Sequence, residues 1–299
     1  MKKNSFLFAC TTLISIVLFT PSCKKNDTPE WSQPNQDAVA SPKQPPVLCD
    51  AQTFQLEKNI FELATDNANS DELNFPQLLS AFRGMNNIQY DVQHKPLRAS
   101  LDLPDSVCQF TYDADGRLLN FLLFVPAPLP GVTAKYLYFW RFSYASAIIN
   151  ITAGYRQLTD GNLSDEILTG TASLYLDESK KVTRRVFTDG AYDRYEYNAK
   201  SDLANIFSKS ATGTETLKFQ FAGYDNKQCF ANSNPTWQLL LNVYSRHNPR
   251  TVTEVQNNDI VHVYTYQYNT NDLPVSIQEK YNNGTNVIIP SFIHYACLN

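Results

Sequence analysis

Charge is scarce in this 299-residue chain: 18% of its residues are charged, 25 Lys and Arg stand against 29 Asp and Glu, and the formal net charge is -4. Without a basic excess the chain has no means of holding a phosphate backbone, which argues against a nucleic-acid partner. Histidine is rarer still, and the four, His94, His247, His262 and His294, lie far apart with none at metal-ligating helical spacing. No C-x-x-C pair occurs either, so neither a metal nor a cofactor is expected. Nucleophile-elbow, zincin and phosphate-loop motifs are all missing, and with them any catalytic signature. What the chain does have is aromatic mass: 18 Phe, 17 Tyr and 3 Trp, enough to build a sizeable core.

The N-terminus is the first informative stretch. Lys2 and Lys3 precede an apolar run over 6–19 that is too short for a permanent membrane span, so residues 1–22 read as a secretory signal peptide. The run ends in Thr20-Pro21-Ser22-Cys23-Lys24-Lys25, which resembles the lipobox of bacterial lipoproteins, with Thr20 where leucine is usual. Lipidation of Cys23 would hold the protein on a membrane without a transmembrane helix, at about 0.8 kcal/mol per buried methylene. Residues 23–47, with Pro29, Pro34, Pro42, Pro45 and Pro46, read as the lipidated cysteine and a proline-rich tether spanning roughly 27 Å if flexible. A single domain is expected over 48–299. In an oxidising compartment its four cysteines, Cys49, Cys108, Cys229 and Cys297, suggest disulfides, with three pairings open.

From Val107 onward the dominant period is two. Tyr264, Tyr266 and Tyr268 alternate with Thr265 and Gln267, and Tyr195 and Tyr197 flank Glu196, the pattern of half-buried strands. Turn signals fall between these strands at Asp113–Gly116, Asp160-Gly161, Asp189-Gly190 and Asn282–Gly284. Aligning the turns exposes a weak internal repeat: Phe110-Thr-Tyr112-Asp113 is echoed from Tyr195, from Tyr266 and, more faintly, from Leu174. A short helix is predicted over 76–83, ended by Gly84, and a second after Asn234, with Asn234 as N-cap and Pro235 in the first helical place. The fold class expected is therefore all-β: an antiparallel meander forming an open curved sheet or incomplete barrel, with one or two short helices.

Tyr112-Asp113-x-x-Gly116-Arg117-Leu118 and its echoes resemble the YD units of RHS-type repeats. The stretch Tyr224-Asp225-Asn226-Lys227, followed by Asn248 and by Tyr264 to Ser276, is similar to β-rich lipoproteins of the Bacteroidetes, although Gln228-Cys229-Phe230 stands where those carry Asn-Pro-Phe. The likeness covers about 105–296 and implies an extracytoplasmic β-sheet lipoprotein in the cell envelope, anchored to the outer membrane. It brings no catalytic residues.

Other constellations have bland readings beside the functional ones. Asp113, Asp115 and Gly116 look like half a calcium loop but lack its remaining ligands, so a tight turn is expected. Asp165-Glu166 and Asp177-Glu178 place adjacent carboxylates on opposite strand faces and cannot flank one glycosidic bond. Asp105-Ser106-Val107 matches a loose O-glycosylation acceptor, making Ser106 a minor candidate. In period two, Tyr138, Trp140 and Phe142 share a face: a buried sheet is the first reading, and an exposed aromatic row for a glycan or protein ligand is the alternative. The function expected is a non-enzymatic binding or assembly module tethered to a membrane through the lipid on Cys23. A hydrolase with acids from distant strands and a lipid-binding envelope protein are the competing classes.

Overall fold

The computed structural model describes residues 49–56, 81–125, 135–159, 161–255, 260–281 and 289–297. The signal segment, Cys23, the tether, the Asn282–Gly284 turn and all but the end of the helix expected over 76–83 lie outside these residues. Residues 46–299 form one compact unit.

Seventeen strands follow in chain order: β1 Cys49–Gln55, β2 Met85–Tyr90, β3 Pro96–Leu101, β4 Val107–Tyr112, β5 Leu118–Val125, β6 Lys135–Ala145, β7 Ile148–Thr159 and β8 Asn162–Leu163. Then come β9 Ile167–Leu176, β10 Val182–Phe187, β11 Tyr192–Tyr197, β12 Leu203–Lys209, β13 Thr216–Ala222, β14 Thr251–Glu254, β15 Ile260–Tyr268, β16 Pro274–Tyr281 and β17 Ile289–Cys297. Each pairs antiparallel with its successor, except that the two-residue β8 only flanks β7 and β9 takes its place beside β7. The last strand returns to the first: β17 pairs with β1 from Cys49↔Cys297 to Gln55↔Phe292, and β1 meets β2 at Phe54↔Met85.

The sheet is therefore a closed barrel of 16 strands, not the open sheet or incomplete barrel expected. Local periodicity finds strands but not which two are last to meet. Here the pair that closes the ring is the first and the last, and closure leaves neither with a bare edge.

Alternation decides the two surfaces. Phe110, Phe121, Trp140, Phe142, Ile151, Leu174, Tyr195, Phe219, Val252, Tyr264, Ile277 and Ile293 point inward and are buried in one core. The outer face is polar along the strands: Asn120 bonds Thr111, Ser173 bonds Asn150, Arg141 and Arg156 hold Glu166, and Arg194 holds Glu196 and Glu215. Apolar side chains stand exposed beside these networks, among them Tyr175, Val263 and Phe292.

Five hairpins at one mouth share a single turn, at Asp91–Lys95, Asp113–Arg117, Asp177–Lys181, Asn198–Asp202 and Asn269–Leu273. In each, the backbone N–H of the Asp or Asn donates to the carbonyl four residues on, and that later residue's N–H donates to the Asx side-chain oxygen at 2.8–3.1 Å. The fourth residue is left-handed: His94 (φ 62°), Gly116 (77°), Lys180 (63°), Ser201 (71°) and Asp272 (61°). This is a type I turn with a G1 bulge.

Tyrosines stand behind the turns. Tyr90, Tyr112, Tyr144, Tyr197, Tyr224, Tyr266 and Tyr295 each donate a hydroxyl hydrogen bond, at 2.5–3.2 Å, to the carbonyl of Ala51, Pro96, Leu118, Val182, Leu203, Pro249 and Pro274 respectively. Each reaches toward the preceding strand, so together they form a collar around the mouth. Burial pushes their phenols up, Tyr144 to about 12.

The connection between β13 and β14 is a stopper for this mouth. It carries a 3-10 turn, Phe230–Ser233, and the helix α1, Pro235–Leu241, capped by the Asn234 side chain accepting from the Thr236 N–H at 2.9 Å. Trp237 reaches into the lumen, its ring 5.1 Å from Phe54, 5.8 Å from Phe82 and 5.6 Å from Phe110. The stopper is tied to the rim: Asn234 Nδ2 donates to the His94 carbonyl at 2.8 Å, Thr236 meets Tyr112 at 3.1 Å, and Ser245 Oγ accepts from the Leu203 N–H at 2.9 Å.

Candidate functional site

Two clefts open where the stopper meets the collar. The first has a volume of about 440 Å³ and lies between α1 and the turns at Asp113–Arg117 and Asp177–Lys181. Its apolar wall is Leu118, Ile149, Leu176 and Leu239, and its rim carries Arg117, Lys180 and Gln238. Its position has a cause in the collar. β9 is the strand reaching this mouth that ends in leucine: Leu176 stands directly before the turn Asx, where Tyr90, Tyr112, Tyr197 and Tyr268 stand in the other four hairpins. Leucine at this place gives the cleft an apolar wall, beside Tyr144 and Tyr244, which also line it. Beside the gap, the Arg117 guanidinium lies 4.7 Å from the Tyr144 ring centroid and pairs with Asp113 at 2.7 Å and Asp115 at 3.0 Å.

The second cleft, about 320 Å³, lies outside the stopper and is lined by Asn226, Gln228, Asn232, Arg246 and His247. His247 is fixed by the fully buried Asp202, which accepts from its backbone N–H at 2.8 Å and meets Nδ1 at 3.0 and 3.1 Å. No carboxylate lines either cleft.

The residues singled out from sequence fall elsewhere. Tyr138, Trp140 and Phe142 do share one face of β6, but it is the inner one, and Trp140 and Phe142 are buried, Trp140 against Phe121 at 5.3 Å. The exposed-row alternative is therefore corrected, because the barrel places period-two aromatics in its core. Tyr138 instead clusters with Tyr136 and Tyr155, centroids 6.0–6.1 Å apart. Ser106 is 2% exposed inside the β3–β4 turn, so the folded barrel presents no hydroxyl there for O-glycosylation. Of the four cysteines, Cys49 and Cys297 are bonded and Cys108 and Cys229 are buried free thiols. Asp113–Gly116 forms a turn, and among the described residues no cluster suited to a metal occurs.

The histidines are more engaged than their spacing indicates. His94 meets Asp50 at 2.7 Å, and the buried His262 lies between Glu279 at 2.7 Å and Glu254 at 2.8 Å. Sequence reading missed Leu176, Lys180, Arg246 and the Asp202–His247 pair. The one available signal was Leu176 breaking the Tyr-Asx repeat.

No protein family matches the chain, and no curated protein does. Among solved structures, a porin-like protein from Bacteroides uniformis is similar at 12% identity and a TM-score of 0.37, over 71% of this chain and 94% of that one. A porin-like protein from Bacteroides vulgatus is similar at 12% identity and a TM-score of 0.32, over 70% and 92%. Scores this low describe a loosely shared run of strands and say nothing of activity.

Proposed function

We propose that the chain is a membrane-tethered envelope lipoprotein whose barrel is a non-enzymatic binding module, with its ligand site in the cleft at the collar gap. The observation that carries this reading is the apolar wall at Leu176 beside a polar rim of Lys180, Gln238 and the carboxylate-paired Arg117. An apolar wall with Arg117 and Lys180 above it suits a ligand with an apolar body and an anionic or hydroxylated end, such as part of a peptide or glycan. The signal-like N-terminus, the lipobox-like Cys23 and the Cys49–Cys297 bond, which fits an oxidising compartment, support export and outer-membrane attachment. The YD-like units account for the recurring hairpins.

The competing classes fit less well. Neither cleft offers the two carboxylates a glycosidase needs. The lumen is packed around Trp237, and the void beside Trp140 is about 10 Å³, so an acyl chain could not be carried inside the barrel.

The test uses the dye 8-anilinonaphthalene-1-sulfonate, which is apolar with one anionic group. Wild type is expected to bind it, and Leu176→Tyr, which completes the collar, is expected to bind it at least tenfold more weakly with an unchanged thermal midpoint. Equal binding by both proteins rules the cleft out. Tethering is tested separately by intact mass of the membrane-extracted protein against Cys23→Ala: a diacylglycerol adduct on wild type supports it, and plain cleavage refutes it.

A further inference from the structure

The second cleft has a chemistry of its own. Its lining is wholly polar: two asparagines, one glutamine, an arginine and a histidine. The legs of the stopper form it. Gln228 and His247 face each other as an antiparallel bridge, and the Cys229 N–H donates to the Arg246 carbonyl at 3.0 Å, so Gln228 and Arg246–His247 are held in register.

Behind the cleft, Asp202 occupies the last place of the fourth collar turn, with its N–H held by the Asn198 side chain at 3.1 Å. That turn aims its carboxylate at His247. With Nδ1 donating to Asp202, the ring edge bearing Nε2 is left for a ligand. Arg246 is exposed, and among the described residues no carboxylate lies within ion-pair distance of it. Asn232 uses its side-chain oxygen to accept from Gln238, which leaves its amide N–H groups as donors.

We propose that this cleft binds a carboxylated sugar, a uronic-acid type ligand. A guanidinium fork matches a carboxylate in a bidentate pair. The amides of Asn226 and Gln228, able to donate and accept, and the Asn232 amide N–H groups match ring hydroxyls that do both. With Nδ1–H turned to Asp202, His247 Nε2 accepts a further hydroxyl bond. A volume of about 320 Å³ suits one or two sugar rings. No aromatic face lines the cleft, so affinity for a monosaccharide is expected in the millimolar range.

The experiment is a set of calorimetric titrations of the full-length protein with glucuronate, glucose, acetate and inorganic phosphate, repeated on Arg246→Gln and on Arg98→Gln, an exposed arginine of β3. Wild type and Arg98→Gln should bind glucuronate at least tenfold more tightly than the other three probes, and Arg246→Gln should lose at least tenfold for glucuronate with an unchanged thermal midpoint. Equal binding of glucose removes the carboxylate from recognition, and equal binding of acetate or phosphate reduces the site to a simple anion site. Either result overturns the proposal, as does glucuronate binding that is absent or indifferent to Arg246. None of these outcomes bears on the collar-gap cleft, which is probed by a different ligand and variant.

Discussion

At the scale of single residues, this barrel relies on side chains that make backbone conformations tolerable and on ion pairs spread over its outside. Glu166 is the clearest case of the second. The Arg141 guanidinium, joined by Arg156, holds its carboxyl at about 2, below its ordinary 4.5. A carboxylate depressed in the folded state contributes stability that is fully present above its unfolded value and is lost as pH falls through the folded one. Urea midpoints measured from pH 6 down to pH 1.5 should therefore decline below about pH 4.5, and the gap between wild type and Glu166→Gln should narrow through this range and close only below about pH 2. A gap that stays constant with pH would mean the pair contributes nothing through its charge. Nothing local in the sequence marks this pairing, because the arginines arrive from β6 and β7 across the sheet. Gly116 was legible as a turn, but His94, Lys180, Ser201 and Asp272 adopt the same left-handed conformation without being glycine. The Asx side chain at the turn's first place braces them, and only the aligned repeat hints at that. At Gly154 the need is for space instead: a Cβ there would lie 2.6 Å from the Phe139 ring and 2.5 Å from the Ile167 carbonyl.

At the scale of elements, the stopper depends on the barrel as much as it fills it. A seven-residue helix cannot stand alone in water, so α1 is held by its burial and its ties to the rim. Trp237→Ala removes the ring on which Phe54, Phe82 and Phe110 converge, and should cost about 3–5 kcal/mol by urea denaturation. A loss under 1 kcal/mol would mean the lumen closes over the gap and the stopper is dispensable. The start of α1 was readable from Asn234 and Pro235, which are local signals. Its place inside the barrel was not, since Trp237's partners lie on β1, β4 and residue 82, all more than 100 positions away along the chain. The collar was hidden at shorter range, with each tyrosine 15–39 positions from its carbonyl. Alternating tyrosines announced strands, but the carbonyl each hydroxyl seeks belongs to the neighbouring strand's far end.

At the scale of the whole molecule, closure rests on the seam between β1 and its two neighbours. On one side β1 pairs with β17 over most of its length, and on the other it touches β2 at one register point, Phe54↔Met85. The Cys49–Cys297 bond clamps the stronger side and encloses a separation of 248 residues. Disulfides closing long loops stabilise by about 2–5 kcal/mol, so Cys49→Ser should lower stability by that amount without altering the strand content seen by circular dichroism. An unchanged urea midpoint would show that the β1–β17 hydrogen bonds hold the ring unaided. The pairing of termini also bears on how the chain is made. Until β17 is in place beside β1, the aromatic sheet has a free margin at each end. The hazard for this protein is thus concentrated before closure: a chain whose last strand has not yet reached its first is left with two adhesive edges.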